Sequence, residues 1–260
     1  MTLRREMLIM SVLGAVAMLV VGCAREERER LEWTSMGTVA AVQTRGADAR
    51  VRASRACRET QALFREIESL LNAHDEKSEL SRLASLDDAA VLSNSSPRVK
   101  ACYEAAFRFA RLTDGAFSPR WRGAGTLDLG AIAKGFAVDE AARALGDEAG
   151  DLLLDLGGNL KAVRGAWRVG IAGTDEEILL TNGMACATSA TYFRGAHICD
   201  ARTGAAVSNA VFSVTVVHPT SAMVSDALST TLFILGRARG EAFLKAHFPD
   251  ARAYWTSRTR

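Results

Sequence analysis

The 260 residues are 48% hydrophobic and 24% charged, an ordinary globular composition sufficient for one large domain or two small ones. A formal net charge of +2 supplies no basic field for a polyanion, so nucleic acid is excluded as a partner class.

The chain opens with Arg4 and Arg5, and then an apolar run from Met7 to Val21 that is short and early for a membrane span. It ends in "LVVGC", a small residue before Cys23, as in a bacterial lipobox. Cleavage there makes residues 1–22 a signal peptide and Cys23 the lipidated residue. The alternative is an uncleaved anchor helix with an incidental cysteine. The charged "AREERER" that follows at once favours the lipobox and reads as part of a solvated tether over residues 23–32. Either reading places the domain, residues 33–260, on the extracytoplasmic (periplasmic) side of a membrane. Several acyl chains on one cysteine hold a protein stably where a single chain is marginal. The remaining cysteines, Cys57, Cys102, Cys186 and Cys199, form no CxxC and no zinc-like spacing with histidine. An exported location permits disulfides. Cys186 and Cys199 facing each other across adjacent strands is one reading; four small buried residues is the other, and no redox role is expected.

Met36–Arg45 reads as a first strand, and the spacing of Ala56, Leu63, Ile67 and Leu70 predicts a helix within Val51–His74. The polar segment that follows is expected to be partly helical. A second helix is bounded by Ser96 as N-cap, Pro97 at its first position and Gly115 past its end. Thr126–Gly130 reads as strand, Gly130–Gly135 as a turn and Ala137–Leu145 as helix. "DLLLDLGG" is a buried strand ending in a glycine turn. "AWRVGIAG", "EEILLT", "MACATSATYF", "AHICDARTG" and "VFSVTVVHP" read as further strands. "SDALSTTLFILG" and "ARGEAFLKAHF" read as helices, and "ARAYWTS" as a closing edge strand. The fold class is therefore α+β (mixed α/β), a single domain of mixed or antiparallel sheet flanked by helices. It lacks the regular alternation of a dinucleotide fold, and "LGGNLKAVRG" is not GxGxxG.

Three stretches carry chemistry. A strand–turn–helix junction around Lys134 offers backbone N–H groups and a point charge to an anion, though it is no Walker loop; a glycine turn with an exposed lysine is the bland alternative. Asp226 and Thr230 lie four apart on one helix face and can ligate a hard cation such as Mg²⁺, which takes few oxygen ligands from protein; Ser225 or Asp226 acting only as helix cap is the bland alternative there. His197 and Asp200 stand beside a turn at Arg202-Thr203-Gly204, where a histidine is either structural or a general base.

In their order and wording, "MGT", "SELSRL", "TDGAFSP", "LDLGAIAKGFAVD", "LLDLGGNL", "ATSATYFRGAHICDARTG" and "SDALSTTLFILG" resemble the ApbE family, the FAD:protein FMN transferases. The resemblance implies a Mg²⁺-dependent enzyme that takes FAD as substrate, transfers its FMN half to a threonine hydroxyl of an acceptor protein and releases AMP. It implies as acceptor a flavoprotein subunit of a membrane electron-transfer system. Carried onto this chain, Asp226 and Thr230 are metal ligands, with the carbonyl of Ala131 as a third and Ser229 adjacent in role. Asp128 and Lys134 contact FAD, Met36 lies against the flavin, and Ala116, Phe117 and Ser118 help hold the nucleotide. His197 is the candidate base, beside Lys134 and Asp226 as the catalytic group. Two departures stand out: Ser118 replaces the usual Asp, and only "PRWRGAGTL" fills a segment that is longer in the family. The alternatives to transfer are hydrolysis of FAD to FMN and AMP, and an exported lipoprotein that binds FAD without turnover.

Overall fold

The computed structural model describes residues 27–146, 149–171, 173–190 and 198–257. Among the described residues eleven strands and seven helices follow one another, and all but four of these strands form one sheet of order β1-β2-β3-β4-β7-β10-β11. Every pairing in it is antiparallel.

The sheet begins earlier than the charge run suggests. β1 (Arg28–Ser35) pairs along its whole length with β2 (Thr38–Arg45), so residues 28–32 are strand and not tether. The reason is its edge position. Arg28, Arg30 and Glu32 alternate with half-buried Leu31 and Trp33 that pack on the core, and charged residues on an edge strand also discourage pairing with other chains. Met36 and Gly37 make the hairpin turn at positive φ, 48° and 69°.

α1 (Ala49–Leu71) then crosses the sheet, burying Ala53, Ala56, Phe64 and Ile67 at helical spacing. The polar stretch after it holds two short helices, α2 (Glu79–Leu83) and α3 (Asp88–Asn94). α4 (Pro97–Leu112) starts at Pro97 as expected, with Ser96 at the cap position, although the Ser96 hydroxyl caps nothing. Thr126–Gly130 is not a strand: Leu127 and Leu129 are buried, but the backbone there bonds locally, Asp128 N–H to the Pro119 carbonyl. α5 (Ala133–Leu145) begins earlier than predicted, which puts Lys134 in its first turn.

β3 (Leu152–Leu156) is buried on both faces, as its unbroken apolar run predicts. Leu152, Leu154 and Leu156 enter the main core, and Leu153 enters a smaller one on the opposite face. Gly157 and Gly158 turn the chain into β4 (Asn159–Arg164). β5 (Trp167–Gly170) and β6 (Glu177–Leu180) form a separate hairpin that covers the smaller core through Trp167, Ile178 and Leu180. β7 (Ala185–Ala190) returns to the main sheet, while β8 (Cys199–Asp200) pairs only with β9 (Ala205–Ala206). Cys186 and Cys199 thus lie in different sheets rather than on adjacent strands. β10 (Val211–His218), α6 (Ala222–Leu235), α7 (Arg237–His247) and the edge strand β11 (Arg252–Ser257) complete the fold.

Candidate active site

A cleft of about 1270 Å³ opens between the β1–β2 hairpin, the loop 116–132, the glycine turn after β3, β7 and α6. It exceeds the ~300–1,000 Å³ of ordinary small-molecule sites and has room for a ligand the size of a dinucleotide.

One part of its lining is the seam between α5 and α6. The two helices touch at Gly135, where an added Cβ would lie 2.3 Å from the Ala222 carbonyl oxygen, so only glycine allows this approach. Ser221, not Ser225 or Asp226, caps α6, accepting from Val224 N–H. The Asp139 carboxylate of α5 adds to the cap, accepting from Ser221 Oγ at 2.7 Å, Ala222 N at 2.9 Å and Met223 N at 3.0 Å. Buried Lys161 of β4 pairs with it at 2.8 Å. With the cap five residues upstream, Asp226 falls in the second turn and faces α5. Its Oδ2 accepts from Gly135 N–H at 3.0 Å and stands 3.7 Å from Lys134 Nζ, which itself donates to the Gly130 carbonyl at 2.9 Å. Its Oδ1 takes no hydrogen bond from any described residue.

Asp226, Thr230, Ala131, Lys134, Asp128, Ala116, Phe117 and Ser118 all border the cleft. Residues far apart in the chain and marked in the sequence are therefore brought together. Ser229 is not among them. It is fully buried, its hydroxyl donating to the Asp226 carbonyl and sharing a hydrogen bond with Ser189, a cleft residue that also shares one with the Thr230 hydroxyl. Met36 is also absent from the lining: it packs against the core, and its N–H is held by Glu68. Its neighbours Gly37 and Thr38 border the cleft instead. His197 and Cys23 lie outside the described residues. Asp200 turns away into the β8–β9 hairpin, where the Arg202 hydrogen bond holds its carboxyl below the usual range.

Among the described residues no group of three or more His, Cys, Asp or Glu gathers. A hard cation does not need one. The carboxylate of Asp226, the hydroxyl of Thr230 and the Ala131 carbonyl are all oxygen donors, and the open Oδ1 of Asp226 suits such an ion. The donor set therefore fits Mg²⁺ with its remaining positions left to water or phosphate.

Sequence reasoning missed other lining residues. Asp155 of β3 borders the cleft beside the glycine turn, where burial pushes its carboxyl upward against the Gly158 N–H at 3.0 Å and Arg30 at 3.5 Å. Its signal was the one charge inside "LLLDL", which a purely structural strand has little reason to carry. Burial, and then Asp155, push the neighbouring Cys186 thiol up to about 12, so it is unreactive. Trp121 and Arg122 enter from the short loop.

A family model described as the ApbE family matches residues 36–125 and 120–255. Among curated proteins, the chain is 34% identical over 131 residues to the FAD:protein FMN transferase of Haemophilus influenzae, covering 42% of this chain and 38% of that protein. It is 34% identical over 149 residues to that of Klebsiella pneumoniae, covering 52% and 46%. The chain thus spans less than half the length of these curated relatives. Among solved structures it is similar to the flavin transferase ApbE of Vibrio cholerae, with TM-score 0.70, 22% identity and coverage of 90% and 94%. The apo flavinyl transferase ApbE of Pseudomonas stutzeri gives TM-score 0.73 at 22% identity, covering 90% and 92%. At that identity these likenesses establish the fold.

Proposed function

The chain belongs to the ApbE family, and on that premise we propose that the cleft binds FAD and passes its FMN half to a threonine hydroxyl of an acceptor protein. The observation that carries this reading is the convergence of Asp128, Ala131, Lys134, Asp226 and Thr230 on one cleft of dinucleotide size. The named activity of its relatives supports it.

In the reaction, the threonine oxygen forms a bond to the FMN phosphorus, the pyrophosphate P–O bond to AMP breaks, and the hydroxyl proton passes to a base. Such a transfer needs positioning and charge neutralisation more than covalent help. Lys134, anchored on Gly130 and beside Asp226, supplies a fixed positive charge for the pyrophosphate. Asp226, Thr230 and the Ala131 carbonyl would hold Mg²⁺, which when bound neutralises phosphate charge. His197 is the proposed base, by resemblance to the family.

The proposed location is a lipid anchor at Cys23 on the extracytoplasmic side of a membrane, with a flavoprotein subunit of a membrane electron-transfer system as acceptor. Because β1 begins at Arg28, only residues 24–27 separate it from Cys23. Fully extended they reach roughly 17 Å, which would keep the domain close to the bilayer and to a membrane-bound acceptor.

The test is mass spectrometry of an acceptor protein bearing a flavinylatable threonine, incubated with FAD, Mg²⁺ and this protein. A gain of one esterified FMN that a chelator abolishes is the expected result. Free FMN and AMP without acceptor gain would make it a hydrolase. FAD bound but intact would make it a binding protein.

A further inference from the structure

Two cleft side chains, Trp121 and Arg122, have no part in the proposed reaction. They lie in the loop where the family match breaks, its two matched stretches overlapping at residues 120–125. The loop is nonetheless firmly held. Arg120 donates to Asp88 at 2.9 Å and to the carbonyls of Ala84, Leu86 and Thr126 at 3.0, 2.7 and 3.3 Å. These bonds pin it to the segment between α2 and α3.

On this base the Trp121 ring is bracketed. Its Nε1–H donates to Asp128 Oδ2 at 3.1 Å. The Arg122 guanidinium lies over the ring, 4.6 Å from its centroid, and is 3.4 Å from the same Asp128 oxygen. The other Asp128 oxygen accepts from Gly130 N–H at 2.8 Å, tying the bracket to the residue before Ala131. The polar edge of the indole is thus satisfied within the protein, which leaves only its π-face and hydrocarbon edge for a ligand. Arg122 is balanced by Asp128, so it braces the indole more than it offers a charge for phosphate. A half-buried indole on a cleft wall, braced on one face and with no hydrogen bond left to offer, is suited to stacking.

We propose that Trp121 is the stacking wall for one flat heteroaromatic ring of the substrate, adenine or isoalloxazine, with Arg122 and Asp128 fixing the indole plane. The proposal rests on the flavin reading above and adds a specificity-determining residue from the segment where this chain departs from its family.

The experiment is calorimetric binding of FAD, FMN and ADP to the full chain, in wild-type, Trp121→Leu and Trp121→Phe forms. Trp121→Leu is expected to weaken FAD about tenfold, and Trp121→Phe to restore most of that. A parallel loss in the ADP arm places adenine on Trp121, and a loss in the FMN arm places the isoalloxazine there. Unchanged affinity of Trp121→Leu for all three overturns the proposal. Failure of the wild type to bind FAD at all would overturn the flavin reading first and this subsite with it.

Discussion

Two parts of the cleft lining are held differently. The α5–α6 seam is a direct approach of backbone to backbone, Gly135 against the Ala222 carbonyl, clasped by two carboxylates, Asp226 on the Gly135 N–H and Asp139 on the Ala222 and Met223 N–H groups. The loop 119–126 reaches its neighbours through long side chains, with Arg120 crossing to the Ala84 and Leu86 carbonyls between α2 and α3 and Trp121 resting on Asp128. Backbone contacts leave little slack, because moving one group moves a whole helix. Side-chain contacts yield by a rotamer change. The oxygen donors Asp226 and Thr230 sit on α6 at the seam, and the aromatic ring sits on the loop anchored by side chains. The division matches what each would do: phosphate chemistry tolerates little misplacement, whereas stacking tolerates some.

Breaking the seam should have the largest effect. Gly135→Ala forces a methyl against the Ala222 backbone, which cannot move without shifting α6. The expected cost is roughly 3 kcal/mol, a drop in Tm on the order of 10 °C. Turnover should fall about 100-fold, because Lys134 and Asp226 separate. Thermal melts and FAD turnover check it; a variant that melts and turns over like wild type would mean that the seam has slack after all. Cutting the loop's anchor should do less. Arg120→Met removes all four guanidinium hydrogen bonds, at about 0.5 kcal/mol each for part-buried bonds a cost of roughly 2 kcal/mol, and sharpens the contrast. Hydrogen exchange of residues 119–128 should quicken while α5 and α6 keep their protection. Faster exchange in both helices would show that the two parts are one cooperative unit.

The same contrast explains what was legible in the sequence. Helices α1, α4, α6 and α7 could be read because each has an apolar stripe or a clear cap. The seam residues could be read too, since Lys134, Asp226 and Thr230 fall in family-like wording. Elements stabilised by distant partners could not. The charged run before Trp33 hid β1, because an edge strand shows solvent half of its side chains. β4 was obscured by Lys161, whose charge is balanced by Asp139 of the distant α5. The cap of α6 was misplaced because Asp139, 82 residues before Ser221, completes it. Ser229 shares a helix with Asp226 and Thr230, yet only the packed fold shows that it is fully buried behind Ser189. Trp121 had no motif to announce it; what marks it is a tryptophan between two arginines in a glycine-rich loop, and that pattern means little until Asp128 is seen beneath it.

The most direct test of the account is FAD-to-acceptor transfer against Mg²⁺ concentration in wild type and Asp226→Asn. Asparagine keeps an oxygen for the Gly135 N–H, so the seam stays closed, and removes only the carboxylate charge. The account predicts a variant that melts close to wild type, transfers about 100-fold more slowly and requires more Mg²⁺. An Asp226→Asn protein with the wild-type rate and the wild-type Mg²⁺ dependence would contradict it.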